Sequence, residues 1–396
     1  MEDDVTFHNY LIIGGGMTAD AAVQGIRDRD KEGSIGLITN ELYAPYNRPP
    51  LSKALWKGAT LDTIWRKTAE KGATLYTART ARQISLKDKV VTDDRGDQYR
   101  FEKLLVATGG NVRRLPFEVE GIVYFRTLDD YQRLRLLAGH AERFVVIGGG
   151  FIGTEIAAAL AINGKSVTMV FPEASLGARV YPPRLSGFIH EYYRTKGVTI
   201  LHNDGVARIV RKGKTYTLKT ANELELDAEV VVAGLGITPD TELAQSAGLK
   251  TENGILVDEL LRTSHPDIFA AGDVANFFSP SLGKRVRVEH EDNALTMGEA
   301  AGKNMAGAFQ PYTHLPFFYS DLFDLGYEAV GELDARHEIV EDWKDEFKEG
   351  VVYYLEGQRV RGVLLWNVWG QVENARALIA DPGPFTRESL KGKIPA

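Results

Sequence analysis

Two stretches of the sequence follow one pattern around the same IGGG: YLIIGGGMTADAAVQGI at residues 10–26 and FVVIGGGFIGTEIAAAL at residues 144–160. Each is a short apolar run, then three glycines, then a segment rich in small residues, the order of a strand, a tight turn and a helix. Gly14 and Gly148 lie 134 positions apart, and each copy is followed by a second strand-like run, SIGLITNE at 34–41 and SVTMVFPE at 166–173. Few folds satisfy this order. A strand that enters a glycine turn and a helix and returns as a strand is a nucleotide-binding unit, and this chain holds two.

Glycine lets the turn tighten and lets the backbone approach a pyrophosphate, while the next helix offers free N–H groups and the positive end of its dipole. Copy two has the full spacing, Gly148, Gly150 and Gly153, with Gly149 between and Glu173 twenty residues beyond Gly153, at the strand end that holds a ribose hydroxyl. Copy one has Gly14, Gly15 and Gly16, with Ala19 at the third position. A single glycine triplet is as often a plain turn, but two in the same context point to two dinucleotides, a donor and a carrier. LLVATGG (104–110, with Thr108 and Gly109) and AEVVVAGLG (228–236) read as exits from two sheets, the second domain being inserted into the first. IFAAGDV at 268–274 places Asp273 where a strand should meet a helix, so that its carboxylate accepts from a sugar-like chain and the helix start holds a phosphate.

Composition narrows the rest. With 396 residues, 44% hydrophobic and 26% charged, the chain has enough material for two or three domains. A net charge of −7 argues against nucleic acid as a partner, and RKGK at 211–214 reads as a solvated hairpin. There is no cysteine, which excludes disulfides, a dithiol couple, a cysteine nucleophile and cysteine-ligated clusters. The eight histidines show no paired metal-ligand spacing, so no metal is expected. No apolar run reaches membrane-spanning length, MEDD at the start is unlike a targeting peptide, and a cytoplasmic location is expected. NRPPLSKALW at 47–56 predicts an extended strut over 47–50 and a helical start over 51–56, a rigid device for aiming Arg48 and Lys53.

The GGG turns, ATGG and AAGD together resemble the FAD- and NAD(P)H-dependent two-dinucleotide oxidoreductases. RPPLSK narrows the resemblance to the branch holding ferredoxin-type flavoprotein reductases and apoptosis-inducing factor, and RVEHEDNA (287–294) with GVVYYLEGQRVRGVLLWNVWGQVENARALI (350–379) is similar to the latter. The similarity covers about Asn9 to Ala380. It implies that Arg48 contacts FAD and that Lys53 lies beside the flavin ring, paired with Glu155. It places Phe151 and Ile152 where nicotinamide meets flavin, Glu173 on the adenosine ribose of NADH, and Arg179 near the same nucleotide. Ala81, Arg126 and Asp273 match FAD contacts, Gly236 and Asn367 match NAD contacts, and Glu289 with His290 matches a pair at the flavin–nicotinamide face. Where the family often has an acid after the first domain's second strand, this chain has Asn40 and then Glu41, so the FAD ribose falls to one of the two. Tyr319 replaces a family tryptophan near the flavin, and Glu291 replaces a second histidine. The long insertion of the animal protein's C-terminal domain is missing.

The expected architecture is α/β, with two Rossmann-like dinucleotide-binding domains, the NAD domain inserted in the FAD domain, and an α+β C-terminal domain. The expected bounds are 1–122 and 239–312 for FAD, 123–238 for NAD and 313–396 for the C-terminal domain, in which His337 to Glu349 reads as an exposed loop or short helix. The resemblance implies hydride transfer from NADH to FAD, with Lys53, Glu155, Phe151 and His290 as the catalytic set. The onward electron acceptor is not encoded in a motif. A small redox protein or a quinone, a ferredoxin or rubredoxin reductase activity, and a redox sensor that changes from monomer to homodimer on reduction are the alternatives.

Overall fold

The computed structural model describes residues 5–396. MEDD, residues 1–4, lies outside the described residues. The chain forms two compact units. Of the described residues, the first joins 5–47, 61–111 and 238–316, and the second joins 48–60, 112–237 and 317–396.

In the first unit, β1 (Thr6–Ile13), α1 (Met17–Arg29) and β2 (Ile35–Ile38) form the βαβ unit read from the first motif. They continue into β3 (Ala73–Tyr76), β4 (Ala81–Ser85), β5 (Val90–Asp93) and β6 (Gln98–Val106). The sheet order is β3-β2-β1-β6-β5-β4, and the strand Ile268–Ala270 adds in parallel to the end of β6. β1 pairs in parallel with β2 and β6, as crossover through a helix requires. Leu11, Ile12, Leu104, Leu105 and Val106 are fully buried, the continuous apolar run of a strand covered on both faces. α1 packs on the helix Glu291–Met305 so closely that a Cβ at Gly302 would overlap the Ala22 carbonyl oxygen. The expected helix after IFAAGDV is only the 3-10 turn Gly272–Val274, followed by the strand Ala275–Ser279. So Asp273 sits in a tight turn with no helix start beneath it.

The second unit holds a five-stranded parallel sheet, in the order Val198–Leu201, Ser166–Val170, Arg143–Ile147, Val230–Ala233, Val123–Tyr124. The second glycine turn leads from Arg143–Ile147 into the helix Phe151–Ile162. RKGK forms the expected hairpin between Val206–Lys212 and Thr215–Thr220, with Gly213 at φ +63°. The same unit contains a five-stranded antiparallel sheet, Phe317–Leu322, Leu325–Gly331, Arg359–Trp366, Glu349–Glu356 and Glu338–Asp345 in spatial order, with the helix Val372–Ala380. Glu338–Asp345 corrects the expected loop or short helix. It pairs with Glu349–Glu356 along one edge only, and its five acids and bases suit an edge that must refuse further pairing.

Residues 47–56 also differ from expectation. Arg48 is helical (φ −80°, ψ −36°), Pro49–Ser52 and Ala54–Trp56 are two 3-10 turns, and Lys53 stands between them at φ −127°, ψ −95°. The prolines occupy the first turn, where their missing N–H groups cost nothing and their fixed φ suits a helix start. The segment is stiff but coiled. Leu51, Leu55 and Trp56 are buried, and Trp56 meets Tyr131 edge to face while Asn163 Nδ2 donates to its carbonyl (3.1 Å).

Candidate functional site: two glycine cradles and a buried lysine–glutamate pair

The two cradles are built alike. Gly14 (φ +121°) and Gly148 (φ +114°) take a conformation that side chains avoid, and a Cβ there would overlap the carbonyl oxygen of Ala107 or Gly234. A Cβ on Gly15 would overlap the Thr39 side chain, and one on Gly149 the Phe171 ring. The third glycine differs. Gly16 and Gly150, the N-caps of their helices, have nothing within 4 Å of a would-be Cβ and no side-chain cap. Each copy therefore offers an open hollow against uncapped first-turn N–H groups and a helix dipole, which fits a pyrophosphate. Gly153 packs on the Gly148 carbonyl, whereas Ala19 brings a buried methyl to the equivalent point.

Beside the second cradle, Glu155 emerges from an otherwise apolar helix and is 5% exposed. Lys53 Nζ lies 2.7 Å from its Oε1, Ser320 Oγ donates to Oε1 (2.8 Å), and Ser52 Oγ donates to Oε2 (2.6 Å). Lys53 also faces the Tyr319 ring at 5.5 Å. Phe151 and Ile152, at the helix start, are each 36% exposed, and Phe151 meets Phe318 edge to face. Sequence reading found Lys53, Glu155 and Tyr319 but not the two serines. Ser52 could have been read from its place beside Lys53, while nothing local marks Ser320.

The other expected residues fall into separate groups. Arg48 Nη1 donates to the Arg126 carbonyl (3.1 Å), joining two residues expected on FAD. Glu173 pairs with the exposed Arg179 (2.7 Å). Gly236 is left-handed (φ +79°) with open space at its missing Cβ. Asn367 has both amide atoms engaged, accepting from the Gly326 N–H (2.7 Å) and donating to the Lys348 carbonyl (2.6 Å).

In the first unit, Arg287 joins the Asp273 carbonyl (3.1 Å) to the Glu289 carboxylate (2.6 Å), an intermediary sequence reading missed. His290 caps the helix that starts at Glu291 without a side-chain cap bond, and the neighbouring Asp292 holds His314 (2.6 Å), also unforeseen. Thr108 donates to the Asp240 carbonyl (2.7 Å), and Gly109 is left-handed (φ +69°). Ala81 opens β4 and is half-buried. After β2, Asn40 is exposed, while Glu41 accepts from the Tyr46 hydroxyl (2.6 Å).

Two dinucleotide cradles on two sheets, with a buried lysine–glutamate pair, define a flavin- and nicotinamide-dependent oxidoreductase. A family model described as pyridine nucleotide-disulphide oxidoreductase matches residues 8–298. A second, described as apoptosis-inducing factor, mitochondrion-associated, C-term, matches residues 301–343 and 336–381. The chain is 33% identical over 424 residues to apoptosis-inducing factor 1, mitochondrial, of Dictyostelium discoideum, covering 96% of this chain and 79% of the relative. It is 31% identical over 397 residues to putidaredoxin reductase of Pseudomonas putida, covering 95% and 92%. A solved covalent putidaredoxin reductase–putidaredoxin complex superposes with a TM-score of 0.89 at 30% identity, over 95% of this chain and 94% of that one. The chain belongs to the pyridine nucleotide-disulphide oxidoreductase family. It is an FAD-dependent NADH oxidoreductase with onward electron transfer, and having no cysteine it carries no disulfide couple of its own. Among the described residues, no helix is long and apolar enough to cross a membrane.

Proposed function

We propose that the cradle at Gly14–Gly16 holds FAD, that the cradle at Gly148–Gly150 holds NADH, and that Lys53 and Glu155 serve the flavin directly. Bound flavin supplies the hydride acceptor and a store for two electrons; the chain supplies binding, orientation and charge. The buried Lys53–Glu155 pair carries this reading. An ammonium held beside the flavin favours the added electron density of the reduced ring. Its carboxylate partner keeps the buried charge compensated. Phe151, partly exposed at the start of the NAD-side helix, would be displaced or repositioned by a stacking nicotinamide. Glu173 holds the adenosine ribose and disfavours a 2′-phosphate, with Arg179 moderating the preference. Of Asn40 and Glu41, the exposed Asn40 is the freer to meet the FAD ribose, because Glu41 already accepts from Tyr46.

The onward acceptor is a separate redox molecule, a small redox protein or a quinone, and the reaction runs in the cytoplasm. The C-terminal family match favours an oxidoreductase of the apoptosis-inducing-factor type, which reduces its acceptor slowly. A second reading, reduction of a small iron–sulfur protein, is favoured by the likeness to putidaredoxin reductase in complex with putidaredoxin. Anaerobic NADH titration of the yellow protein, followed by air, separates them. Long-wavelength absorbance that decays slowly supports the first. Rapid reoxidation, or turnover only with an added iron–sulfur protein, supports the second. A protein with no flavin spectrum after FAD is supplied overturns both.

A further inference from the structure

We propose that Arg287 is a positioning residue on the open side of the first cradle: its guanidinium holds the Asp273 turn and the Glu289 carboxylate as one unit and offsets the Glu289 charge felt by the flavin. The inference rests on the reading that the cradle at Gly14–Gly16 holds FAD.

The placement follows from how two helices meet. α1 and the helix Glu291–Met305 run parallel and close together, with glycines at the contacts. A Cβ at Gly298 would overlap the Thr18 carbonyl oxygen, and one at Gly302 the Ala22 carbonyl oxygen. Gly298 is thus level with the opening turn of α1, and the residues from Glu291 to Met297 project past that helix start by roughly 10 Å, at about 1.5 Å each. Glu289 and His290, which lead into the helix, therefore stand forward of Gly16, on the open side of the hollow. The Asp273 turn reaches the start of α1 from the sheet. Gly272 (φ +76°) packs so tightly there that a Cβ would overlap the Thr18 hydroxyl, and its N–H donates to the Met297 sulfur (3.3 Å).

Arg287 ties these two approaches together. It follows the strand Lys284–Val286, which pairs antiparallel with Ala275–Ser279 and so carries the chain back towards Asp273. Its stem crosses Gly254 (φ +110°), where an added Cβ would come 3.0 Å from the Arg287 Cδ, so the glycine leaves the room that the arginine uses. The side chain is 9% exposed. It donates from Nε to the Asn253 amide oxygen (3.1 Å) and from Nη1 to the Asp273 carbonyl (3.1 Å), and the Glu289 carboxylate lies 2.6 Å from Nη1. A guanidinium is planar and permanently charged, so three acceptors on three segments fix it, and it fixes them relative to one another. Glu291 and Asp292 add further acid in the opening turn of the helix. Reduced flavin carries more electron density than the oxidised ring, and an unpaired carboxylate nearby opposes that density. Removing Arg287 leaves the flavin facing the Glu289 charge, and removing the Glu289 charge leaves it facing Arg287. The two changes are opposite in sign, which loss of a purely structural contact does not produce.

The test is the flavin midpoint potential of the FAD-loaded protein. Arg287→Met keeps the stem and removes the charge and the donors. It should lower the preference for reduced flavin about tenfold, roughly 30 mV for a two-electron couple. Glu289→Gln should raise that preference, by a smaller step because the carboxylate is 35% exposed and partly screened. Adding Glu289→Gln to Arg287→Met should recover part of the loss. A wild-type potential in Arg287→Met, or a Glu289→Gln change that lowers the potential in either background, would overturn the inference. If Arg287→Met does not hold FAD, Glu289→Gln decides alone: a raised potential supports the inference, and an unchanged or lowered one overturns it. FAD retention unaffected by Gly16→Ala would instead sink the reading of the first cradle, and the inference with it.

Discussion

The two glycine cradles share a backbone plan but use a buried acid in opposite ways. In the first, Asp20 in the opening turn of α1 is 1% exposed in its side chain and binds two cations, Arg66 (2.7 Å) and Lys71 (2.8 Å), together with the Thr68 hydroxyl (2.6 Å). In the second, Glu155 lies one residue further along the equivalent helix and binds one cation and two hydroxyls. The first set carries a net positive charge close to the helix start that would hold the FAD pyrophosphate, and it pins residues 61–71 onto α1. The second set is neutral overall, and its one cation is the lysine of the RPPLSK turn. The repeated fold keeps its cradle and diverges in the side chains of the next turn, where one copy sets its acid between two cations and the other sets its acid on the lysine proposed to serve the flavin.

The sharpest way to break the contrast is Asp20→Ala. It leaves two largely buried cations without their carboxylate and should cost about 3–5 kcal/mol, read as a lowered denaturation midpoint with FAD-loaded protein. Glu155→Gln, which keeps the shape and one accepting oxygen, turns the other acceptor into a donor and strands one cation, should cost less than half of that. If Glu155→Gln proved the more damaging to stability, the division into architectural and reactive acids would be wrong.

Smaller and more selective effects are expected from filling the hollows. Gly16 has an extended backbone (φ −90°, ψ −172°) that alanine tolerates, as does Gly150 (φ −85°, ψ −171°). Gly16→Ala should weaken FAD retention roughly tenfold, about 1.4 kcal/mol, with little change in the KM for NADH. Gly150→Ala should do the reverse, and titrations with each ligand check the assignment. Equal effects on both ligands would mean that the cradles are not divided between the cofactors as proposed.

Acid stability separates a third acid, Asp93, which closes β5 of the first unit. Burial would raise its pKa, but the N–H groups of Arg95 and Asp97, the Tyr99 hydroxyl and Arg79 outweigh burial and hold it below the ordinary 3.8. Its native pKa is therefore depressed. Its contribution is fully present above pH 3.8 and is lost as pH falls through the lower native value. Asp93→Asn should lower stability at neutral pH and flatten the decline below about pH 4, seen in urea midpoints measured across that range. A decline as steep as the wild type's would assign acid sensitivity elsewhere.

The cradles were legible because their information is local: three glycines, a flanking strand and a helix within one stretch. Lys53 and Glu155 were legible only through the resemblance, since nothing in the chain's periodicity joins residues 53 and 155. Ser320 escaped because it meets Glu155 across 165 positions, and Asp20 because its partners lie 46 to 51 positions away. The proline pair misled because proline is compatible with both an extended strut and the first turn of a helix, and burial of Leu51, Leu55 and Trp56 chose the turn. The stretch holding Glu338–Asp345 reads as a loop or short helix because edge strands are charged, the very property that exposed loops and helices share.

The most direct test of the site is stopped-flow anaerobic reduction by NADH of wild-type protein and Lys53→Ala, with bound FAD quantified in both. Lys53 acting on the flavin predicts near-full FAD content and reduction slowed at least about tenfold, 1.4 kcal/mol in the barrier. Unchanged reduction kinetics at equal FAD content would contradict that role and leave the Lys53–Glu155 pair a structural ion pair.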